Sequence, residues 1–254
     1  MPKMEINVWY EKLASPFAKR FDGDGQIDTQ VTIYYNSERN IILNKICKNG
    51  SSSIEFIGHL AGFQEVSLYS ADLLFCTEKP LVITILRDPV DRYISAVNMY
   101  VDQLRTMGLK LKMENFTNLE YVTDMHFRPQ IGDVLCNWVD EDVMIVDGCI
   151  VYNGFQYEKW SDFMEVYPYV DHIEHEQQKF YLMESHTDVV RDIIRDFDFP
   201  VPPNVSSWFN ECPDHLAVYN RGNMDPELLE YVQNFYKPDY ELLNLVKFEN
   251  KDTR

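Results

Sequence analysis

The chain has 254 residues, of which 45% are apolar and 14% aromatic, with a formal net charge of −18. That apolar content excludes a disordered chain, and the length fits one α/β domain or two small ones, of which the lack of a visible linker favours one. The charge excludes a general nucleic-acid binder, because neutralising phosphates takes a basic surface; a small polyanion needs only a local cluster of amides and cations.

Five scattered cysteines, Cys47, Cys76, Cys136, Cys149 and Cys212, include no C-x-x-C pair and read as reduced thiols. Met1–Tyr10 is mixed and charged, so it reads as neither a signal peptide nor an anchor. No run approaches the roughly 18 apolar residues that span a bilayer. The expectation is a cytoplasmic or otherwise soluble chain with no membrane partner.

In chain order, Asp22–Asp28 begins like a calcium loop, but its sixth position is Ile27 and its twelfth Ile33, so a turn is expected. Arg39–Cys47 carries the apolar run of Ile41, Ile42, Leu43 and Ile46 and predicts a strand. The polar segment Lys48-Asn49-Gly50-Ser51-Ser52-Ser53 follows, and then Ile54, Ile57, Leu60 and Ala61 recur at helical spacing. A second strand is predicted over Leu81–Leu86. It ends at Arg87-Asp88-Pro89, where Asp88 suits an N-cap and Pro89 a first helical residue. Val90, Tyr93, Ile94, Val97 and Val101 line one face of the helix beyond.

Two strand–loop–helix units with all-apolar strands predict an α/β fold with a central parallel sheet flanked by helices. Ligands of such sheets bind at the carboxyl ends of the strands, where both polar segments lie. Val143–Val146 and Cys149–Tyr152 flank Asp147-Gly148, a hairpin signal. Helices are expected over Tyr157–Val166, Glu176–Phe197 and Asp225–Tyr236. The aromatic run Trp160–Tyr169 reads as core. His172 and His175 lie a helical turn apart without a third ligand, so no metal site is expected.

Two segments carry chemistry. In Lys48–Ser53, a turn of small residues between strand and helix aims amides, a helix dipole and three hydroxyls at one point, which makes an anion site. A Walker A loop needs its lysine after the glycines; here Lys48 precedes Gly50, which disfavours a P-loop small-molecule kinase. In Arg87–Ser95, an arginine at a strand end and Ser95 about two turns into a helix suit a phosphate monoester, and Arg92 shares a face with Ser95.

Together, in this order, the two segments resemble the sulfotransferases that use 3′-phosphoadenosine 5′-phosphosulfate (PAPS). That family has a Lys-x-Gly/Ala loop followed by three small hydroxyl residues, and a later Arg-Asp-Pro-x-x-Arg-x-x-Ser. The match looks closer to the carbohydrate (Golgi-type) branch. His126-Phe127-Arg128-Pro129-Gln130 resembles the His-x-x-Pro-Gln stretch of that branch, and Tyr181–Glu184 a strand–helix junction of the family. Asn220-Arg221-Gly222 and Phe235–Leu242 resemble its C-terminal end. Cys47 stands where proline is common, and residues 1–38 match nothing in the family.

The resemblance implies a single P-loop-like sulfotransferase domain over residues 1–254 that transfers a sulfuryl group to a hydroxyl, on a glycan acceptor, and releases 3′-phosphoadenosine 5′-phosphate. Lys48 would stabilise the leaving phosphate, and Asn49, Gly50, Ser51, Ser52 and Ser53 would cradle the 5′-phosphate. Arg87 and Ser95 would hold the 3′-phosphate, and Arg221 would be a further cofactor-binding residue. His126 would take the acceptor proton, with Glu55 or Asp124 as alternatives. A catalytically inactive nucleotide-binding protein of the same fold is the rival expectation, and joint retention of Lys48, Arg87 and Ser95 argues against it.

Overall fold

A computed structural model of the chain describes residues 32–67, 80–106, 143–146, 149–152, 154–159, 178–183, 186–200 and 218–252, with scattered positions between 108 and 166. The expected turn over Asp22–Asp28, the pair His172 and His175, and most of Trp160–Tyr169 lie outside these residues.

The main sheet has five strands in the order β3-β1-β2-β4-β8. They are β1 (Thr32–Asn36), β2 (Ile41–Asn44), β3 (Gln64–Ser67), β4 (Leu81–Leu86) and β8 (Gln178–Leu182). Helix α1 (Ser51–Leu60) follows β2, and helix α2 (Pro89–Thr106) follows β4. The expected strand at Arg39–Cys47 shortens to β2, which leaves Cys47 and Lys48 free to turn. A second, antiparallel sheet joins β5 (Val143–Val146), β6 (Cys149–Tyr152) and β7 (Phe155–Tyr157), and Val146 pairs with Cys149 as the Asp147-Gly148 hairpin signal predicts. Helix α3 (His186–Asp196), a short 3-10 turn (Arg221–Asn223), α4 (Pro226–Phe235) and α5 (Lys237–Asp252) complete the described elements.

The wholly parallel sheet is corrected to a mixed one. β2 and β4 run parallel, as do β4 and β8, but β1 is antiparallel to both β2 and β3. β1 thus lies reversed between neighbours that share a direction. It belongs to a tight hairpin with β2, a connection that only antiparallel strands can make.

The helix expected over Glu176–Phe197 is also corrected, since its first part is β8. Phe180 and Leu182 pack on one face of the sheet with Ile46 and Leu86, while Tyr181 and Met183 pack on the other with Ile83 and Ile85. That alternation is a strand buried on both faces, which short apolar runs do not distinguish from helix. Val189, Val190, Ile193, Ile194 and Phe197 keep helical spacing, in and just past α3. Likewise Tyr157, expected to open a helix, closes β7, and helical backbone appears at Asp162–Phe163.

Helices α1 and α3 cover one face of the main sheet through Ile54, Ile57, Val189, Val190 and Ile193 over Leu43, Ile83 and Ile85. On the other face, α5 covers the carboxyl end of β4 with Leu242, Leu243 and Val246 around Leu86. Gly58 lets α1 lie against β1: a Cβ there would sit 2.9 Å from Tyr34 Cδ1 and 3.0 Å from Cγ, and Tyr34 is fully buried. Gly58→Ala gains helix propensity of about 1 kcal/mol but overpacks the core, at a cost of about 1–3 kcal/mol. The expected result is net destabilisation in urea unfolding, and a stabilised variant would contradict this packing.

Candidate functional site

The segment after β2 turns sharply. Lys48 (φ 67°) and Gly50 (φ 78°) both have left-handed backbone, and Gly50 stands at the N-cap of α1. Glycine adopts that conformation freely, whereas lysine is strained there and must be held. Two arginines supply the hold. Arg92 Nε donates to the Cys47 carbonyl at 2.9 Å, and Arg87 Nη1 donates to the Lys48 carbonyl at 3.0 Å. Gly50 has no side-chain cap, and its carbonyl accepts from the amides of Ser53 and Ile54. The Ser51 and Ser52 amides open the helix, where no intrahelical carbonyl can reach them. The positive end of the α1 dipole thus lies at the carboxyl end of β2.

The loop residues divide between inside and outside. Ser52 is exposed, and Gly50 and Ser51 are partly exposed, whereas Ser53 and Asn49 are buried. Asn49, expected at the 5′-phosphate, faces inward. Its amide donates to the Ile46 carbonyl, and its Nδ2 donates to the Ile85 carbonyl at 2.8 Å and to Gln130 Oε1 at 2.5 Å. A short polar side chain in a strand-to-helix turn satisfies buried backbone before it reaches solvent.

Arg87 leaves the carboxyl end of β4 beside this loop. Burial lowers the pKa of its guanidinium from the ordinary value, Asp91 raises it, Arg92 lowers it and Asp88 raises it. Asp88 caps α2 as expected, with Oδ1 accepting from the amides of Val90 at 2.9 Å and Asp91 at 3.2 Å. Arg92, which by its spacing shares a helix face with Ser95, is 1% exposed and donates to the Cys47 carbonyl. Ser95 is partly buried on α2.

Arg221 comes to the start of α2 from the far end of the sequence. Its Nε donates to Asp91 Oδ1 at 2.7 Å, and its Nη2 pairs with Asp88 Oδ1. Asn98 docks the adjoining segment by bracketing Tyr219: its Nδ2 donates to the Tyr219 carbonyl and its Oδ1 accepts the Tyr219 amide, both at 2.9 Å. Both carboxylates at this helix start are thereby paired with a cation.

The residue that joins these parts was not among the expected site residues, although it lies in the quoted His126–Gln130 stretch. Gln130 is 1% exposed, and its Oε1 accepts from Asn49 Nδ2 and, at 2.9 Å, from the Arg87 amide. Its Nε2 donates to the Arg87 carbonyl at 2.8 Å and to Asp239 Oδ2 at 3.4 Å. Asp239, fully buried near the start of α5, accepts the Gln130 amide on Oδ2 and the Ile131 amide on Oδ1, each at 2.9 Å. The sequence signal for this brace was a lone glutamine after proline, which says nothing about its partners.

His126 lies elsewhere. Its Nδ1 is 3.4 Å from the Tyr100 hydroxyl, and the two rings meet edge to face. Tyr100 is 11 residues beyond Pro89 on α2, roughly 16 Å along the axis at 1.5 Å per residue. Glu55, an alternative base, pairs with Lys45 Nζ at 3.1 Å, and Asp124 is outside the described residues.

Among the described residues, no cluster of His, Cys, Asp and Glu is arranged to hold a metal ion, and no helix is long and apolar enough to cross a membrane. No family model, curated protein or solved structure matches the chain.

Proposed function

We propose that the protein binds PAPS at the carboxyl ends of β2 and β4 and transfers its sulfuryl group to a hydroxyl acceptor, a carbohydrate by the resemblance of its motifs. One observation carries the cofactor half of this reading. The Arg87 guanidinium donates to the Lys48 carbonyl at 3.0 Å, so the two phosphate-binding segments stand side by side at the ends of neighbouring parallel strands. A nucleotide with phosphates at both its 5′ and 3′ positions needs two such cationic segments.

The residues present suit that ligand. The amides of Ser51 and Ser52 and the hydroxyls of the loop would hold the 5′-phosphate, and Arg87 with Ser95 the 3′-phosphate. Arg221 neutralises Asp88 and Asp91, so that no unpaired carboxylate of α2's first turn repels the anion. PAPS supplies an activated sulfuryl group whose transfer breaks its bond to the phosphate oxygen. Lys48 would offset the charge that appears on that oxygen, and preorganised charge of this kind dominates related group transfers. The acceptor hydroxyl loses its proton as the new S–O bond forms; His126 is the motif's candidate to take it, but its ring packs against Tyr100 well along α2, so the geometry lends that role no support.

The test is ligand-induced stabilisation. Saturation with 3′-phosphoadenosine 5′-phosphate at about a hundred times its Kd is expected to add about 2.7 kcal/mol to the unfolding free energy. ATP with magnesium is expected to add far less. Stabilisation by ATP and none by the bisphosphate would replace this reading with the kinase one.

A further inference from the structure

We propose that Gln130 and Asp239 are positioning residues that set the separation between the Lys48–Ser53 loop and Arg87. The proposal rests on the nucleotide reading above and deepens it: what matters for a bisphosphate is the distance between its two binding segments, and one buried carboxamide touches both.

A glutamine amide offers two acceptor and two donor positions. In Gln130 all four are taken, by the Asn49 side chain, the Arg87 amide, the Arg87 carbonyl and Asp239. Asn49 belongs to the loop. Arg87 is held through both its backbone polar groups, as though a neighbouring strand continued past the end of β4. Asp239 fixes the orientation of the amide in turn, because its oxygens take the consecutive amides of Gln130 and Ile131. Exchange of the amide oxygen and nitrogen would set donors against donors at Asn49 and at the Arg87 amide.

Neither side chain reaches solvent, so neither can touch an acceptor or a nucleotide; each acts through Asn49 and Arg87. A spacer with no role beyond filling volume would be apolar, since burying polar groups costs free energy unless hydrogen bonds offset it. Gln130 is satisfied at every position, whereas Asn49 Oδ1 is buried without a partner among the described residues.

The experiment measures binding of two nucleotides to the full chain by calorimetry. Adenosine 3′,5′-bisphosphate engages both segments, whereas adenosine 5′-monophosphate engages the loop alone. Gln130→Met and Asp239→Asn are each expected to weaken the bisphosphate about tenfold or more, roughly 1.4 kcal/mol per tenfold, and the monophosphate by less than threefold. The double variant is expected to be no worse than the weaker-binding single one, because the two residues act in series. Equal losses for both nucleotides, or no loss, would overturn the positioning role.

Should Gln130→Met fail to fold, Asn49→Ala cuts the same brace from the loop side and is expected to show the same selectivity. If the wild-type chain binds neither nucleotide, the nucleotide reading falls, and amide hydrogen exchange in the ligand-free chain decides the brace. Faster exchange at Arg87 in the Gln130 variant supports it, and unchanged protection there removes it.

Discussion

Arg87→Ala is expected to weaken binding of 3′-phosphoadenosine 5′-phosphate by about a hundredfold. The loss has two sources. A charged hydrogen bond to a phosphate contributes about 1.5–3 kcal/mol, and about 1.4 kcal/mol is a factor of ten. The same substitution removes the hydrogen bond from Arg87 Nη1 to the Lys48 carbonyl and loosens a left-handed turn that the guanidinium helps to hold. Arg87→Lys is expected to recover little of this, since an ammonium lacks the planar fork that serves a carbonyl and a phosphate at once. Titration calorimetry at two ionic strengths checks the result, and unchanged affinity in the alanine variant would remove Arg87 from the site.

The largest effect on stability is expected at Asp239. Asp239→Ala should cost about 3–5 kcal/mol near neutral pH, because truncating one member of a buried charged cluster leaves the others uncompensated. The groups left behind are the amides of Gln130 and Ile131, the Gln130 side chain and the buried charge of Arg92.

The pH dependence carries a distinct signature. Burial raises the Asp239 carboxyl from its ordinary 3.8 to about 6, against the opposing pull of Arg92 and the hydrogen bonds from Ile131 and Gln130. The folded chain therefore holds this proton more tightly than the unfolded chain does. The corresponding stability is fully present below about pH 4 and is lost as pH rises through about 6, a change of ~3 kcal/mol at 1.36 kcal/mol per unit. The difference in stability between the native chain and Asp239→Asn, followed by urea unfolding across that window, isolates this contribution. A difference that does not vary with pH would mean that Asp239 titrates where an exposed aspartate does.

The elements legible in the sequence were those whose signals are local. β4 follows its apolar run residue for residue, Asp88 and Pro89 start α2 as cap and first turn, and the Asp147-Gly148 hairpin sets its own register. The reversed β1 was not legible, because the direction of a strand depends on its partner and leaves no mark in its own residues. β8 was misread because Phe180–Met183 is apolar on both faces and lacks the alternation that separates strand from helix.

The site divided in the same way. Lys48–Ser53 and Arg87 stand out in the sequence by their types and order, and in the structure the Arg87 guanidinium meets the Lys48 carbonyl. What Asn49 and Arg92 do was not found, because both reach main-chain carbonyls, which every residue has, and Asn49 also reaches Gln130 across 81 positions of chain. Gln130 and Asp239 meet across 109 positions of chain, a separation at which no spacing rule applies.

That separation also has a consequence in time. A chain emerging from a ribosome completes β2, the loop, β4 and α2 long before residue 239 is made. Until α5 docks, Gln130 lacks its anchor and the loop stands without its brace. On the proposed reading, binding competence thus waits for residue 239, and a chain stopped at Tyr236 would keep Lys48–Ser53 and Arg87 in its sequence while missing the part that spaces them.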